Sequence, residues 1–456
     1  MSKSYSAPSD GTLYPTPTRP RLRWSDLSGR RVGIWGFGTE GRASVARLQA
    51  MGTTPAVIVD DRDVEGGGVP VMSFDRGGLE ALADCDVIIK TPGVTRYSTR
   101  FRTLADKGIP IVGGLALWLE ERDLSQVVCV TGTKGKSTTS AIVGHMLRGL
   151  GKSPFVGGNI GLPPWDPNVD HERHDCWIIE TSSYQATDVS VSPPVVAVTS
   201  LSQDHIDWHG GSPENYYRDK LSVCRQPGAD LTVANGDDKL IRDRSGLLGP
   251  RVLWVSSAEA SPSWIRSIKL PGSHNQMNVL IAAACVRAMG VAGADRDEAL
   301  QDALRGFEGL ESRLNLIGEA GGVTFVDDSL STNVLPTLAA LDSFPGRRIA
   351  LIVGGYDRQI DYAPLGVALR DRKHPTAVHT LPDSGPRIRA AIEAVDGTPP
   401  VTDHDDLRSA VRAAFAWASP DGIVLLSPAA PSFGHFADYR DRSAAFRRAF
   451  DECARG

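Results

Sequence analysis

Val127-Val-Cys-Val-Thr-Gly-Thr-Lys-Gly-Lys-Ser-Thr138 is the stretch that decides the fold. Its first four residues are a short apolar run, the pattern of a strand buried on both faces. A glycine-rich turn follows, and from Ser137 the chain reads as a helix. Strand, tight turn and helix make the unit from which parallel sheets are wound. Backbone N–H groups of such a turn, backed by a helix N-terminus, suit the oxygens of a polyphosphate. Gly132, Thr133, Lys134 and Gly135 form the cradle, Lys136 is placed for the β- and γ-phosphates, and Ser137 or Thr138 for a magnesium ion. Only two residues separate Gly132 from Gly135, fewer than in the usual GxxxxGK[ST] loop. Any glycine-rich β–α turn looks similar, but a lysine followed by a run of hydroxyl residues is chemistry that a plain turn does not need.

The same alternation runs outward in both directions. Upstream, Val32–Trp35 reads as a strand, followed by Gly36-Phe37-Gly38-Thr-Glu-Gly41 and a helix through Gln49; Ala56–Asp60 and Asp86–Lys90 are further strands. GxGxxG after a strand, with Asp60 ending the next strand where a ribose-binding acid would lie, points to a nucleotide or to a structural turn. Downstream, Glu180 ends the apolar run Cys176–Ile179, at the carboxyl edge where α/β proteins place ligands. Asp204-His205-Ile-Asp207-Trp-His209 follows. A carboxylate and an imidazole near the phosphate loop suit a divalent cation. Lys220, on the helix-like segment from Asn215, looks like a solvated helix lysine, and His274-Asn275-Gln-Met-Asn278 like an N-terminal cap of an Ala-rich helix. A third block opens near Glu311, with strands at Val323–Val326, Arg348–Val353 and Gly422–Leu426. The fold class is therefore α/β in three domains: a Rossmann-like domain over 23–123, a central phosphate-loop domain over 124–312 and a Rossmann-like domain over 313–456. Residues 1–22, rich in Ser, Pro and Thr without apolar periodicity, read as a flexible leader.

Composition narrows the function. A net charge of −5 gives no support for a nucleic-acid or anionic-membrane partner. No apolar run approaches the roughly 18–20 residues of a membrane span, and the N-terminus lacks a secretory pattern, so a cytoplasmic protein is expected. Six scattered cysteines, without a CxxC pair, read as buried or free thiols.

Taken in order, the motifs resemble those of the Mur ligases, and within them the MurD-like muramoyl-alanine–glutamate ligases. They are GTKGKST at 132–138, GGNIG at 157–161, ETSSYQ at 180–185, DHIDWH at 204–209, Lys220, GSHNQMN at 272–278, Arg313, DDSLSTN at 327–333 and SPAAPSF at 427–433. The resemblance implies an ATP-dependent ligase that joins glutamate to UDP-N-acetylmuramoyl-L-alanine in peptidoglycan precursor synthesis, working as a monomer. It assigns UDP to Gly36, Phe37, Gly38, Asp60, Thr91, Pro92 and Gly93, and the muramoyl-alanine part to Asn159 and Ser182. ATP falls to the phosphate loop with Asn275, Asn278, Arg313 and Asp328. Two magnesium ions fall to Ser137, Glu180, His205 and a Lys220 carbamoylated to N6-carboxylysine. The incoming glutamate falls to Arg358, Ser432 and Phe433. Lys136, His205 and Lys220 would carry catalysis through an acyl phosphate, with domain closure excluding water.

The chain departs from that pattern where the amino acid is held. D-glutamate enzymes carry a lysine in N-D-S-K-A-T-N; here Leu330 stands there and can make no ion pair. The lysine of a later GGxxK segment is Arg358, which keeps the charge but changes the geometry of carboxylate recognition. Ser200 replaces an asparagine ahead of the D-H-x-D motif. The altered anchors favour L-glutamate, with D-glutamate as the alternative if Arg358 compensates for Leu330. A folylpolyglutamate synthase shares the phosphate loop, but that family begins directly with the ATPase part. A dehydrogenase leaves Lys136 unexplained. An inactive nucleotide-binding regulator would be free to lose Lys136, Glu180, His205 and Lys220.

Overall fold

The structure is a computed structural model that describes residues 19–62, 64–257, 265, 272–307, 309–310, 312–357 and 360–455. Most of the leader, residues 1–18, and Arg358 lie outside the described residues. Three sheets are built in chain order. The first holds β1 (Val32–Trp35), β2 (Val57–Val59), β3 (Val71–Met72), β4 (Val87–Lys90) and β5 (Ile111–Gly113), all parallel, in the order β3-β2-β1-β4-β5. The second holds β6 (Val127–Thr131), β7 (Pro154–Gly158), β8 (Cys176–Glu180), β9 (Val195–Val198), β10 (Leu231–Asn235) and β11 (Arg251–Val255), again all parallel, in the order β11-β10-β9-β6-β8-β7. The third holds β12 (Asn315–Ala320), β13 (Val323–Asp327), β14 (Ile349–Gly355), β15 (Thr376–Asp383), β16 (Val401–Asp403) and β17 (Ile423–Leu426), in the order β12-β13-β17-β14-β15-β16. Only its β12–β13 pair is antiparallel.

Every residue of β1, β4, β6 and β8 is buried, the reason these strands read as unbroken apolar runs. β1 and β6 each sit where the strand order reverses, so the turn that follows each opens at the crevice where such sheets hold ligands.

The described residues divide into two compact units: those within Met1–Ser267 and Met277–Phe307, and those within Ile268–Gln276 and Glu308–Gly456. In the first unit the two sheets share a core in which Trp24 packs on Trp165 (ring centroids 6.3 Å apart) and Trp118 on Trp177 (5.2 Å). Across it Lys90, at the end of β4, pairs with Asp188 at 2.6 Å, both buried, and Gln185 Nε2 donates to Glu40 Oε1 at 2.7 Å. Arg19 and Arg21, read as leader, are pinned to this core. Arg19 Nε donates to the Thr187 carbonyl and Arg21 Nε to Glu120, each at 2.9 Å. Their partners stand 168 and 99 residues away, which local composition does not reveal. In the second unit the third sheet is covered on both faces by apolar clusters, one around Val326, Leu351 and Ile388 and one around Phe325, Ile352 and Val411.

Candidate active site

At the carboxyl ends of β1, β2 and β4 lies a cavity of about 1360 Å³, bordered by Gly36, Gly38, Asp60, Thr91, Pro92 and Gly93. Gly36 has φ +92°, and a Cβ there would lie 2.1 Å from Thr91 Oγ1, so only glycine lets the two loops meet. Phe37 buries its ring and gives its N–H to Asp60 Oδ2 at 2.7 Å. The Asp60 carboxylate also accepts Arg62 N (2.9 Å), Nε (2.9 Å) and Nη2 (2.6 Å). The Arg62 guanidinium and these backbone donors hold the Asp60 carboxyl at about 2 against the opposing pull of burial. Sequence spacing placed Asp60 where either a ribose-binding acid or a structural turn would lie; in the folded chain both its oxygens hold Arg62 and one also holds the glycine turn. Arg62 and Arg100 are the cations on the cavity lining, and the motif reading missed them. Arg100 stacks over Phe74 at 3.9 Å and reaches Asp61 at 3.1 Å.

The phosphate loop leaves β6 and enters the helix Lys136–Gly149, with Gly135 at its N-cap in the left-handed region (φ +86°). Thr133 N donates to the Ser200 carbonyl and Lys134 N to Ser200 Oγ, both at 2.8 Å, so the serine that replaces an asparagine holds the loop's shape. Lys136 Nζ donates to the Thr133 carbonyl at 3.0 Å, and Lys220 Nζ to the Gly132 carbonyl at 2.9 Å. Ser137 and Thr138 lie buried in the first turn. Thr139 Oγ1 donates to Asn278 Oδ1 at 3.3 Å, which ties the loop to the helix Ser273–Ala288. That helix starts at Ser273, so Asn275 and Asn278 lie within it, a turn apart, and do not cap it.

Lys220 sits near the end of the helix Pro213–Leu221, which Ser212 caps and Pro213 opens. It is 3% exposed. Burial first, then the nearby Lys136 and Lys134, pull its pKa well below that of a solvated lysine, while Asp204 and Glu180 oppose the shift. Lys134 Nζ and His205 Nε2 each stand 3.6 Å from an Asp204 oxygen. His205 takes the left-handed backbone (φ 51°), its ring 5.2 Å from Tyr184. Burial lowers its pKa. The loop thus brings Lys134, Lys136, Glu180, Asp204, His205 and Lys220 together, and Asp204 is a member that the sequence reading did not single out. Asn159 Nδ2 donates to Glu180 Oε1 at 2.7 Å, and Ser182 caps a short helix through Gln185. Both residues assigned to the muramoyl-alanine part therefore also build the protein.

Among the described residues no three His, Cys, Asp or Glu converge as a metal centre. The donor set nonetheless fits a hard divalent cation in one respect. Glu180 Oε2 is buried and has no hydrogen-bond partner, a costly state that a cation relieves. An amine at Lys220 does not fit such an ion, whereas a carbamate does.

In the second unit, Arg313 lies between Ser312 (φ 60°) and Leu314 (φ 49°), two non-glycine residues in the left-handed region. Leu314 N is held by Asp328 Oδ1 (3.2 Å) and the Ser312 carbonyl by Leu330 N (2.9 Å), so the loop assigned to ATP and amino acid clamps this strained turn. Asp328 also accepts from the Ser331 and Ser427 hydroxyls, and burial raises its carboxyl to about 6. Ser432 is buried; Phe433 is half-exposed, its ring 6.4 Å from that of Tyr356. Leu330 is half-buried.

Parallel sheets, a lysine-bearing phosphate loop and buried acids beside it define a multidomain P-loop nucleotide enzyme. Profiles described as Mur ligase middle domain and as Mur ligase, glutamate ligase domain match residues 130–266 and 312–430. Proteins named UDP-N-acetylmuramoyl-L-alanine–L-glutamate ligase are similar over the whole fold: one from a Micromonospora species is 38% identical over 95% of this chain and 99% of its own, and one from Salinispora tropica 37% over 95% and 100%. Among solved structures, UDP-N-acetylmuramate-alanine ligase MurC from Thermotoga maritima superposes with a TM-score of 0.55 at 21% identity, over 93% of this chain and 99% of that one, a likeness of fold. The chain belongs to the Mur ligase family. It is an ATP-dependent, amide-bond-forming glutamate ligase of peptidoglycan synthesis.

Proposed function

We propose that the protein joins L-glutamate to UDP-N-acetylmuramoyl-L-alanine through an acyl phosphate. The observation that carries this reading is the convergence of Lys136 and Lys220 on the carbonyls of one phosphate loop, with Glu180 near enough to act on Lys220. An alanine carboxylate oxygen attacks the γ-phosphorus of ATP, the bond to ADP breaks, and Lys136 neutralises charge on the transferring group. The glutamate amine, having lost a proton, attacks the acyl carbon, and phosphate leaves as the amide forms. Magnesium, when bound, adds charge neutralisation at the phosphates; Ser137, Glu180, His205 and carbamoylated Lys220 would hold it. A buried lysine with a lowered pKa exposes more of the free amine that adds to carbon dioxide with loss of a proton, and the product adds an anion beside Glu180 and Asp204.

UDP takes the cavity between the Gly36 turn and Thr91-Pro92-Gly93, where Arg62 and Arg100 suit its phosphates. That cavity and its sheet are what a folylpolyglutamate synthase would not need. Asn275, Asn278, Arg313 and Asp328 serve ATP; Arg358, Ser432 and Phe433 serve glutamate. Support for the L-form comes from Leu330, which leaves no cation where D-glutamate enzymes carry lysine, and from the relatives' names.

The mechanism is tested with hydroxylamine in place of glutamate. ATP and the UDP-linked substrate should give hydroxamate and phosphate, with Lys136→Ala slower by about 100-fold or more. Amide synthesis without hydroxamate would sink the acyl phosphate. ¹³C-bicarbonate should give a carbamate resonance that Lys220→Arg lacks; its absence from the wild-type protein would sink the carboxylysine.

A further inference from the structure

A second cavity in the first unit, of about 260 Å³, is lined by Arg19, Arg218, Asp219, Ser222, Arg225 and Gln226. It forms where the segment ahead of the first sheet meets the C-terminal end of the helix Pro213–Leu221. None of the residues assigned above to UDP, ATP, metal or glutamate lines it.

Its charge does not balance. Arg19 gives Nε to the Thr187 carbonyl, and Arg218 gives Nη2 to Asn215 Oδ1 at 2.9 Å and also bonds Tyr97, so each guanidinium carries more donors than these contacts use. Arg96, the cation that weighs most on Arg19, is 6% exposed, and its Nε is buried without a hydrogen-bond partner. Arg225 adds a fourth guanidinium at the exposed rim. Asp188 and Asp219 are the carboxylates that act on Arg19, and Asp219 lines the cavity. Asp188 is engaged by Lys90, and Asp219 Oδ2 accepts both Tyr97 Oη and His209 Nδ1 at 2.7 Å. Burial and the neighbouring arginines bring the Arg19 guanidinium down to about 10, the mark of cations crowded together out of water. Three arginines that line a cavity with one committed carboxylate, and a fourth that acts on Arg19, are stabilised by an added anion, and the planar guanidinium fork matches an oxyanion.

We propose that this cavity is a second anion site, separate from the phosphate loop, that binds a small oxyanion of the phosphate class. Because Asp219 lines it and precedes Lys220, an ion there is felt by the helix that carries the catalytic lysine.

Inorganic phosphate titrated into the full-length protein, at ionic strength held constant with sodium chloride, tests the site by thermal denaturation and calorimetry. Phosphate should raise the melting temperature above the chloride control. Arg225→Gln, a rim change that leaves the core untouched, should weaken phosphate binding roughly tenfold, the effect of one charge-assisted contact. The pair Arg218→Gln and Arg225→Gln should abolish it, and Lys136→Ala should leave it intact. No stabilisation beyond chloride overturns the proposal. So does loss in Lys136→Ala with retention in Arg225→Gln, which puts the phosphate in the loop. An arginine-dependent effect of free glutamate without one of phosphate overturns the ligand class.

Discussion

Asp60 shows how a single side chain holds the first glycine-rich turn. Its carboxylate joins Arg62 to the Phe37 amide, and its pKa falls from 3.8 to about 2 on folding. A depressed carboxyl pKa stabilises the fold above the unfolded value, and that contribution fades as pH falls through the folded value. Arg62 is itself exposed and screened, so the contribution is on the order of 1–2 kcal/mol. Asp60→Asn should lose that much at pH 7 in denaturant unfolding, with the gap closing below about pH 4. A gap that does not change with pH contradicts the ion pair. Not all of this was legible in the sequence. Asp60 stands out as the end of a strand, but its partner does not, because DDRD reads as a solvated charge run. Lys220 is the sharper case. Its spacing marks an ordinary helix lysine, and only family resemblance picked it out; the folded chain buries it near Lys136, which spacing does not reveal.

Secondary elements were more legible than side chains. The strands β1, β4, β6 and β8 announce themselves because parallel strands covered on both faces are continuous apolar runs. β3, only Val71 and Met72, is too short to carry a pattern, and the helix from Ser273 starts ahead of the asparagines that looked like its cap. The phosphate loop is the element on which function depends. At Gly135 a side chain would have to take φ +86°, with its Cβ 2.6 Å from the Asn278 amide oxygen. Gly135→Ala should cost about 1–3 kcal/mol in stability. It should also weaken ATP binding about tenfold or more by shifting the Lys136 turn, measured by nucleotide titration. Unchanged nucleotide affinity would mean that this turn does not seat the phosphates.

In the molecule as a whole, three runs of strand, turn and helix revealed three sheets. What they could not reveal is that the first two sheets share one core, because the contacts that join them are distant in sequence. The buried Lys90–Asp188 pair is one of these. Asp188→Ala leaves Lys90 buried without its ion-pair partner, and should destabilise the first unit by about 3–5 kcal/mol. The pair Lys90→Met with Asp188→Leu should recover most of that, read by thermal unfolding. A harmless Asp188→Ala would show that the pair does not hold the sheets.

The proposed chemistry joins glutamate to an activated alanine carboxylate, and Leu330 stands where the resemblance places a lysine in D-glutamate enzymes. Phosphate release from ATP and magnesium in the presence of UDP-N-acetylmuramoyl-L-alanine, with L-glutamate set against D-glutamate, reads this directly. Turnover with L-glutamate and none above background with D-glutamate is the predicted result; turnover with D-glutamate alone would contradict it.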